Sequence, residues 1–292
     1  MSLPSLDHFN FREYEHFYEP AEDTYLLIDA LQADAGFLRD SVRPGLCLEI
    51  GPGSGLVTAA LCALLREEQD KEEEQGALQR KPLRPVFMAA EVNPRAAAAC
   101  LLTAKANKVE PFEVVCCDLA LCMRDRLRRQ VDILVFNPPY VPTPPEEVGS
   151  KDIAAAWAGG ERGREVVDRF LPAVKDLLSP NGCFFMVAVE DNDPAEIISV
   201  MRGYGVHAEV TLVHVLDVIS LAITIGMFVV EIIGQDLLRA PQVLGHILRP
   251  LTFCTNPFLC SSSGPASPFP CGVELLELAS PSHLLHGLKA AT

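Results

Sequence analysis

The residues with the clearest chemical promise are Asn137-Pro138-Pro139-Tyr140, which close the apolar run VDILVF at 131–136. Two prolines restrict the backbone and bias the residue before them toward extended geometry, so Asn137 is expected to be held in one pose. Its side-chain oxygen and the Pro138 carbonyl can then accept both hydrogens of a planar NH2 group. Those bonds orient the nitrogen lone pair toward an electrophilic methyl group, a positioning effect. Tyr140 can stack on the flat amide or base that carries the amine. We take Asn137, Pro138, Pro139 and Tyr140 as the candidate catalytic residues, with Asn137 and Tyr140 also contacting substrate.

A second set lies upstream. Glu49-Ile50-Gly51-Pro52-Gly53-Ser54-Gly55 falls where a first strand must turn into a helix. Glycines there allow tight turning and close backbone approach to a ligand. The pattern is GxGxG preceded by an acid, and a carboxylate beside the glycines suits a cationic cofactor bearing an amino acid better than a pyrophosphate. Glu91, in AEVNP, ends a second strand and can accept hydrogen bonds from both ribose hydroxyls of an adenosine. It lies 40 residues beyond Gly51, against an ordinary offset of about 20, and the charged insertion at 66–85 accounts for the surplus. Asp118, in CCDLA, ends a third strand within reach of an adenine amino group, with Leu119 beside the ring. Three acids ending three successive strands point to a ligand in the crevice at those ends.

The elements that position these residues follow from periodicity. Short apolar runs at 46–50, 86–92, 112–117, 131–136 and 182–189 alternate with helical patterns at 56–65, from Pro94 through the alanine-rich stretch, and over about 163–178. This is the rhythm of an α/β, doubly wound, mostly parallel sheet with helices on both faces. Its continuous apolar strands suit a sheet covered on both sides. The segment 66–85 has dense mixed charge and no apolar face, so a solvated, disordered insertion is expected. The run at 210–233 is long enough to raise a transmembrane segment. His214, Asp217, Glu231 and its β-branched residues instead favour two core strands with a tight connection. CSSSGPASPFPCG (260–272) is low-complexity.

The chain carries a net charge of −15, which argues against stable duplex-DNA binding, since that needs clustered cations. RDRLRRQ (124–130) is the one basic cluster, read as a solvated helix face. The cysteines, Cys47, Cys62, Cys100, Cys116 and Cys183 among them, sit in apolar segments without a CxxC pair. They read as reduced core thiols, with no metal site, in a protein of the cytoplasm and nucleus. No apolar leader precedes the acidic N-terminal stretch, so neither a secretory signal nor a membrane partner is expected.

EIGPGSG, AEVNP, CDL and NPPY, in this order, resemble the class I S-adenosylmethionine-dependent methyltransferases that act on amide or exocyclic amine nitrogens. YEPAEDT (18–24), NPPYVPTPPEEVG (137–149) and AAWAGGERGREVVDRF (155–170) narrow the resemblance to the eukaryotic HemK-like enzymes that methylate a release-factor glutamine. The resemblance covers about residues 15–212 and implies a Rossmann-like fold with S-adenosyl-L-methionine as cofactor. It implies that Thr24 closes over the methionine end, with Glu49, Gly51, Gly53 and Gly55 in the cofactor loop, Glu91 on the ribose and Asp118 with Leu119 on the adenine. Asn137 would contact both cofactor and substrate. Family members often carry Asp where Glu91 stands. The implied substrate is a Gly-Gly-Gln glutamine in a class I translation release factor. The implied partner is a small zinc-binding activator subunit forming a heterodimer.

Methylation of histone lysine or of adenine N6 in DNA remains open, as does an inactive variant that keeps only cofactor binding. A nicotinamide oxidoreductase is disfavoured by GxGxG and NPPY. We expect a methyltransferase domain over 1–213. From about His214 the sequence departs from the resembled pattern, so 214–292 is expected to be a divergent apolar run and disordered tail, an alternative C-terminus.

Overall fold

The computed structural model describes residues 2–74, 84–218, 223–233 and 252–253. All of these belong to one compact unit, Met1–Thr255. Its centre is an eight-stranded sheet in the order β3-β2-β1-β4-β5-β7-β6-β8. The strands are β1 (Leu46–Ile50), β2 (Val86–Glu91), β3 (Phe112–Cys116), β4 (Val131–Phe136), β5 (Leu178–Val189), β6 (His207–Val218), β7 (Ile223–Ile233) and β8 (Thr252–Phe253). The first five are parallel to one another, and β7 lies antiparallel between β5 and β6. The helices are α1 (Glu22–Ala33), the single turn α2 (Ala35–Phe37), α3 (Leu56–Glu74), α4 (Pro94–Ala106), α5 (Glu165–Leu177) and α6 (Pro194–Gly203).

The strand sequences are apolar throughout because each face has its own cover. Cys47, Ile133, Val135, Cys183, Phe185 and Val187 pack with α1 and α3 on one side. Their immediate neighbours Leu48, Leu134, Phe136, Phe184 and Met186 pack with α5 and α6 on the other. This is the two-residue alternation of a strand between two helical layers. On the second face Phe136, Phe170 and Phe184 stack edge to face, with centroids 5.2 and 6.0 Å apart. Fully burying each such ring contributes about 1.5–3 kcal/mol. Helix α4 begins with Pro94 in its first turn, capped by Asn93 Oδ1 accepting from the Arg95 N–H at 2.9 Å, as its sequence predicts.

The strand order reverses direction between β1 and β4, whose register pairs Glu49 with Val135 and Ile50 with Phe136. The glycine turn after β1 and Asn137 after β4 therefore emerge side by side at the carboxyl edge, where open α/β sheets bind ligands.

Several local expectations need correction. Helix α3 runs on to Glu74, so the first nine residues of the charged segment 66–85 are helical. Glu, Gln, Lys and Arg are good helix formers, and neither Gly nor Pro interrupts them before Gly76. Arg66 also donates to the Lys108 and Glu110 carbonyls at 2.7 and 3.1 Å. Residues 75–83 lie outside the described residues.

The RDRLRRQ cluster forms consecutive turns, not a helix. Arg124 and Arg128 both pair with Asp176. Strand β5 begins at Leu178, ahead of the apolar run at 182–189, and residues 179–182 form an irregularity within it, where pairing to β4 skips from Leu178 to Cys183. Cys116 is exposed on the edge strand β3, while Cys47, Cys62, Cys100 and Cys183 are buried thiols.

Within the run at 210–233, residues 210–218 lie in β6 and 223–233 in β7, both joined to the central sheet, while the expected tight connection at 219–222 lies outside the described residues. Strand β6 passes through position 213 without a break. Among the described residues no helix is long and apolar enough to cross a membrane. The low-complexity segment 260–272 and the rest of the tail beyond Phe253 lie outside the described residues.

Candidate active site

A cavity of about 210 Å3 opens at the carboxyl edge beside β1, β2 and β4. Every predicted cofactor residue except Gly55 lines it. Gly51 and Gly53 have φ of +61° and +53°, values that glycine adopts without steric penalty. The Gly51 N–H is held by the Ala90 carbonyl at 2.8 Å. Gly55 lies away from the cavity: a Cβ there would meet Cys100 Sγ at 2.8 Å. Its service is close packing of the start of α3 on α4, as the third glycine of such turns commonly does.

The carboxylates differ in their settings. Glu91 is buried, and its two oxygens accept from the Asn93 N–H at 2.9 Å and the Gly53 N–H at 3.3 Å. One acid thus fixes the glycine turn and still faces the cavity with spare lone pairs. Burial raises its pKa, opposed by these backbone hydrogen bonds. Glu49 is buried beneath the turn and accepts from the Thr58 hydroxyl. Burial pushes its carboxyl up to about 7, with a further contribution from Glu91. Asp118, by contrast, is half-exposed and paired with Arg169, which lines the same cavity. Leu119, beside it, is buried in the wall with φ of +52°.

At the other wall stands the NPPY segment. Asn137 and Pro139 line the cavity; Pro138 and Tyr140 do not. Asn137 Nδ2 donates to Asp23 Oδ2 at 2.9 Å. Tyr140 donates its hydroxyl to the same oxygen at 3.0 Å, so its ring is tied to α1. Burial and the neighbouring Asp23 raise the Tyr140 pKa well above the ordinary phenol value, keeping the hydroxyl a donor. Asn137 Oδ1 is buried without a hydrogen-bond partner. An unpaired buried carbonyl oxygen costs free energy, and this one stands on a residue of the cavity wall.

The backbone behind this segment is fastened by a second cluster. Asn192, 1% exposed, donates Nδ2 to the carbonyls of Tyr140 at 3.0 Å and Arg162 at 2.9 Å. The buried Arg164 donates to the Asn192 carbonyl at 2.8 Å and to Asp168 at 2.6 Å. Gly163 fits beneath with φ of +65°, and a Cβ there would lie 1.9 Å from the Tyr140 carbonyl oxygen. Asp23, Asn192 and Arg164 are not singled out by the sequence reading. Asp23 stands next to Thr24 in a quoted motif, Arg164 lies in another, and Asn192 carries no signal in one sequence.

No family model matches the chain. It is 45% identical over 199 residues to "Methyltransferase HEMK2" of Homo sapiens, an alignment covering 68% of this chain and 84% of the relative. The chain belongs to the HemK-like class I methyltransferases. Another member, the "eRF1 methyltransferase catalytic subunit mtq2" of Schizosaccharomyces pombe, is 36% identical over 220 residues, covering 73% of this chain and 89% of that one.

As a HemK-like enzyme the chain is an S-adenosylmethionine-dependent methyltransferase, and its residues fit that cofactor. Glu91 retains acceptor capacity for a diol. Glu49 offers a buried carboxyl to a cationic amino-acid end, and Thr24 and Leu119 line the same cavity. When bound, the cofactor supplies an electrophilic methyl group. The chain's own part is to hold the acceptor group and exclude water. Among the described residues no group of three or more His, Cys, Asp or Glu side chains forms a metal site.

Proposed function

We propose that this chain methylates the side-chain amide nitrogen of a glutamine, in a Gly-Gly-Gln motif, of a class I translation release factor. The observation that carries the reading is the partnerless, buried Asn137 Oδ1. A primary amide offers a donor hydrogen to that oxygen, and the fixed hydrogen bond on Nδ2 keeps the oxygen available. Transfer then depends mainly on alignment, since the amide nitrogen can shed its proton to solvent after the new C–N bond forms. The S. pombe relative, by its name, acts on eRF1. A partly exposed apolar pair, Val141 and Trp157, joined by a backbone hydrogen bond of 3.0 Å, follows the NPPY segment. With a net charge of −15, such a rim favours a protein segment over a polyanion.

The name "catalytic subunit" carried by that relative supports a second component for this chain too, which we assign as a small zinc-binding activator forming a heterodimer. A protein acting on release factor would work in the cytoplasm, with nuclear residence also compatible. The test is a labelled-methyl transfer assay offering release factor, histone and DNA side by side, with and without the activator. We expect label on release factor, at a glutamine, and more of it with the activator. Label confined to histone or DNA would overturn the assignment.

A further inference from the structure

Asp23 is a carboxylate in the interior, 3% exposed, that gathers donors from four residues. Oδ1 accepts from the Tyr18 hydroxyl at 3.1 Å and the Thr24 N–H at 2.7 Å. Oδ2 accepts from Asn137 Nδ2 at 2.9 Å and the Tyr140 hydroxyl at 3.0 Å. The site's cofactor-side and substrate-side residues therefore meet on one side chain at the start of α1. An asparagine amide is nearly symmetric in shape, and only its hydrogen bonds decide which end faces which way. At Asn137 that decision falls to Asp23, because a carboxylate offers acceptors alone.

We infer that Asp23 is a positioning residue for methyl transfer: it selects the orientation of the Asn137 amide that leaves Oδ1, and not Nδ2, for the substrate NH2 group. The inference rests on the proposed amide-nitrogen chemistry and adds a residue to it. A hydrogen bond to an ionised acceptor is stronger than a neutral one and polarises the amide, which makes Oδ1 a better acceptor in turn. The two tyrosine hydroxyls hold the carboxylate in place and fill its remaining acceptor sites. Thr24, the next residue, carries the same anchoring to the cofactor side. The methyl donor and its acceptor are thereby aligned from one point on α1.

The test is a pair exchange. Asp23→Asn presents an NH2 where the carboxylate oxygen stood, so the Asn137 amide turns over and offers Nδ2 to the substrate. Turnover on release factor should fall about 100-fold, the scale of a mispositioned reacting group. Cofactor affinity by calorimetry should stay at the parent value. Joining Asn137→Asp to Asp23→Asn restores a donor–acceptor pair of opposite sense. Asn at 23 now donates, Tyr140 rotates its hydroxyl to suit, and the second oxygen of Asp at 137 faces the substrate. The double variant should regain at least about tenfold in kcat over Asp23→Asn, a coupling within the range seen for touching residues.

Parent-like turnover in Asp23→Asn overturns the inference. So does a double variant no faster than Asp23→Asn, or a loss of cofactor affinity matching the loss of turnover. If thermal unfolding shows Asp23→Asn misfolded, Tyr140→Phe decides. It removes one anchor of the same oxygen, and kcat should fall with cofactor affinity retained, whereas an unchanged kcat overturns the inference. Failure of the underlying reading looks different: Asn137→Ala would then retain turnover whatever Asp23 does.

Discussion

The two walls of the cavity are built on opposite plans. The β1–β2 wall is local: the glycine turn, Glu49 and Glu91 lie at the ends of adjacent strands, and Glu91 itself secures the turn through the Gly53 N–H. The NPPY wall is assembled from afar. Asn137 is fixed by Asp23, 114 residues earlier, and Tyr140 by Asn192, 52 residues later. A wall of backbone turns at the ends of two directly paired strands binds whatever fits it. A wall braced from three elements holds one side chain in one orientation, which is what alignment chemistry requires.

The comparison breaks if damage to one wall spreads to the other. The largest separation should come from Asn137→Ala, which removes the acceptor oxygen but no support of the β1–β2 wall. Turnover should drop about 100- to 1,000-fold, the cost of losing one preorganised polar group at a reacting centre. Calorimetry should give near-parent cofactor affinity. Gly163→Ala tests the bracing, since its Cβ would collide with the Tyr140 carbonyl and its φ is positive. Stability should fall by about 1–3 kcal/mol with a drop in kcat, read by thermal unfolding and steady-state rates.

Glu91→Ala probes the β1–β2 wall. Cofactor affinity should weaken about tenfold or more, the worth of one hydrogen bond to a charged group. The rate at saturating cofactor should hold.

The smallest effect is in pH. The folded pKa of Glu49 is about 7, above its ordinary carboxyl value. The folded state therefore binds more protons than the unfolded chain between about 4.5 and 7, and the ligand-free protein should lose stability as pH rises through that window. Glu91, raised by burial as well, contributes with the same sign. Glu49→Gln should flatten the slope of melting temperature against pH, and an unchanged slope would remove Glu49 from the account.

The same division decides what one sequence reveals. The strands, the glycine turn and the acids were legible because each is a short-range pattern: apolar runs ending in Gly or an acid at a predictable edge. NPPY was legible because prolines after a buried strand restrict one residue. Asp23, Asn192 and Arg164 were not, because their roles arise when α1, the turn at 190–192 and the 159–164 segment converge on the end of β4, and spacing along the chain does not encode that meeting. Gly55 shows the converse: it belongs to a ligand-binding motif, yet its space is taken by Cys100. The extension of α3 was hidden by charge density, which reads as disorder although its residues favour helix.

The most direct test of the central claim is a crystal structure of the enzyme with demethylated cofactor and a glutamine-containing release-factor peptide. The account predicts the glutamine NH2 donating to Asn137 Oδ1 at about 2.9 Å, with Nδ2 still on Asp23. A glutamine amide bound elsewhere, or an Asn137 turned to present Nδ2, would contradict it.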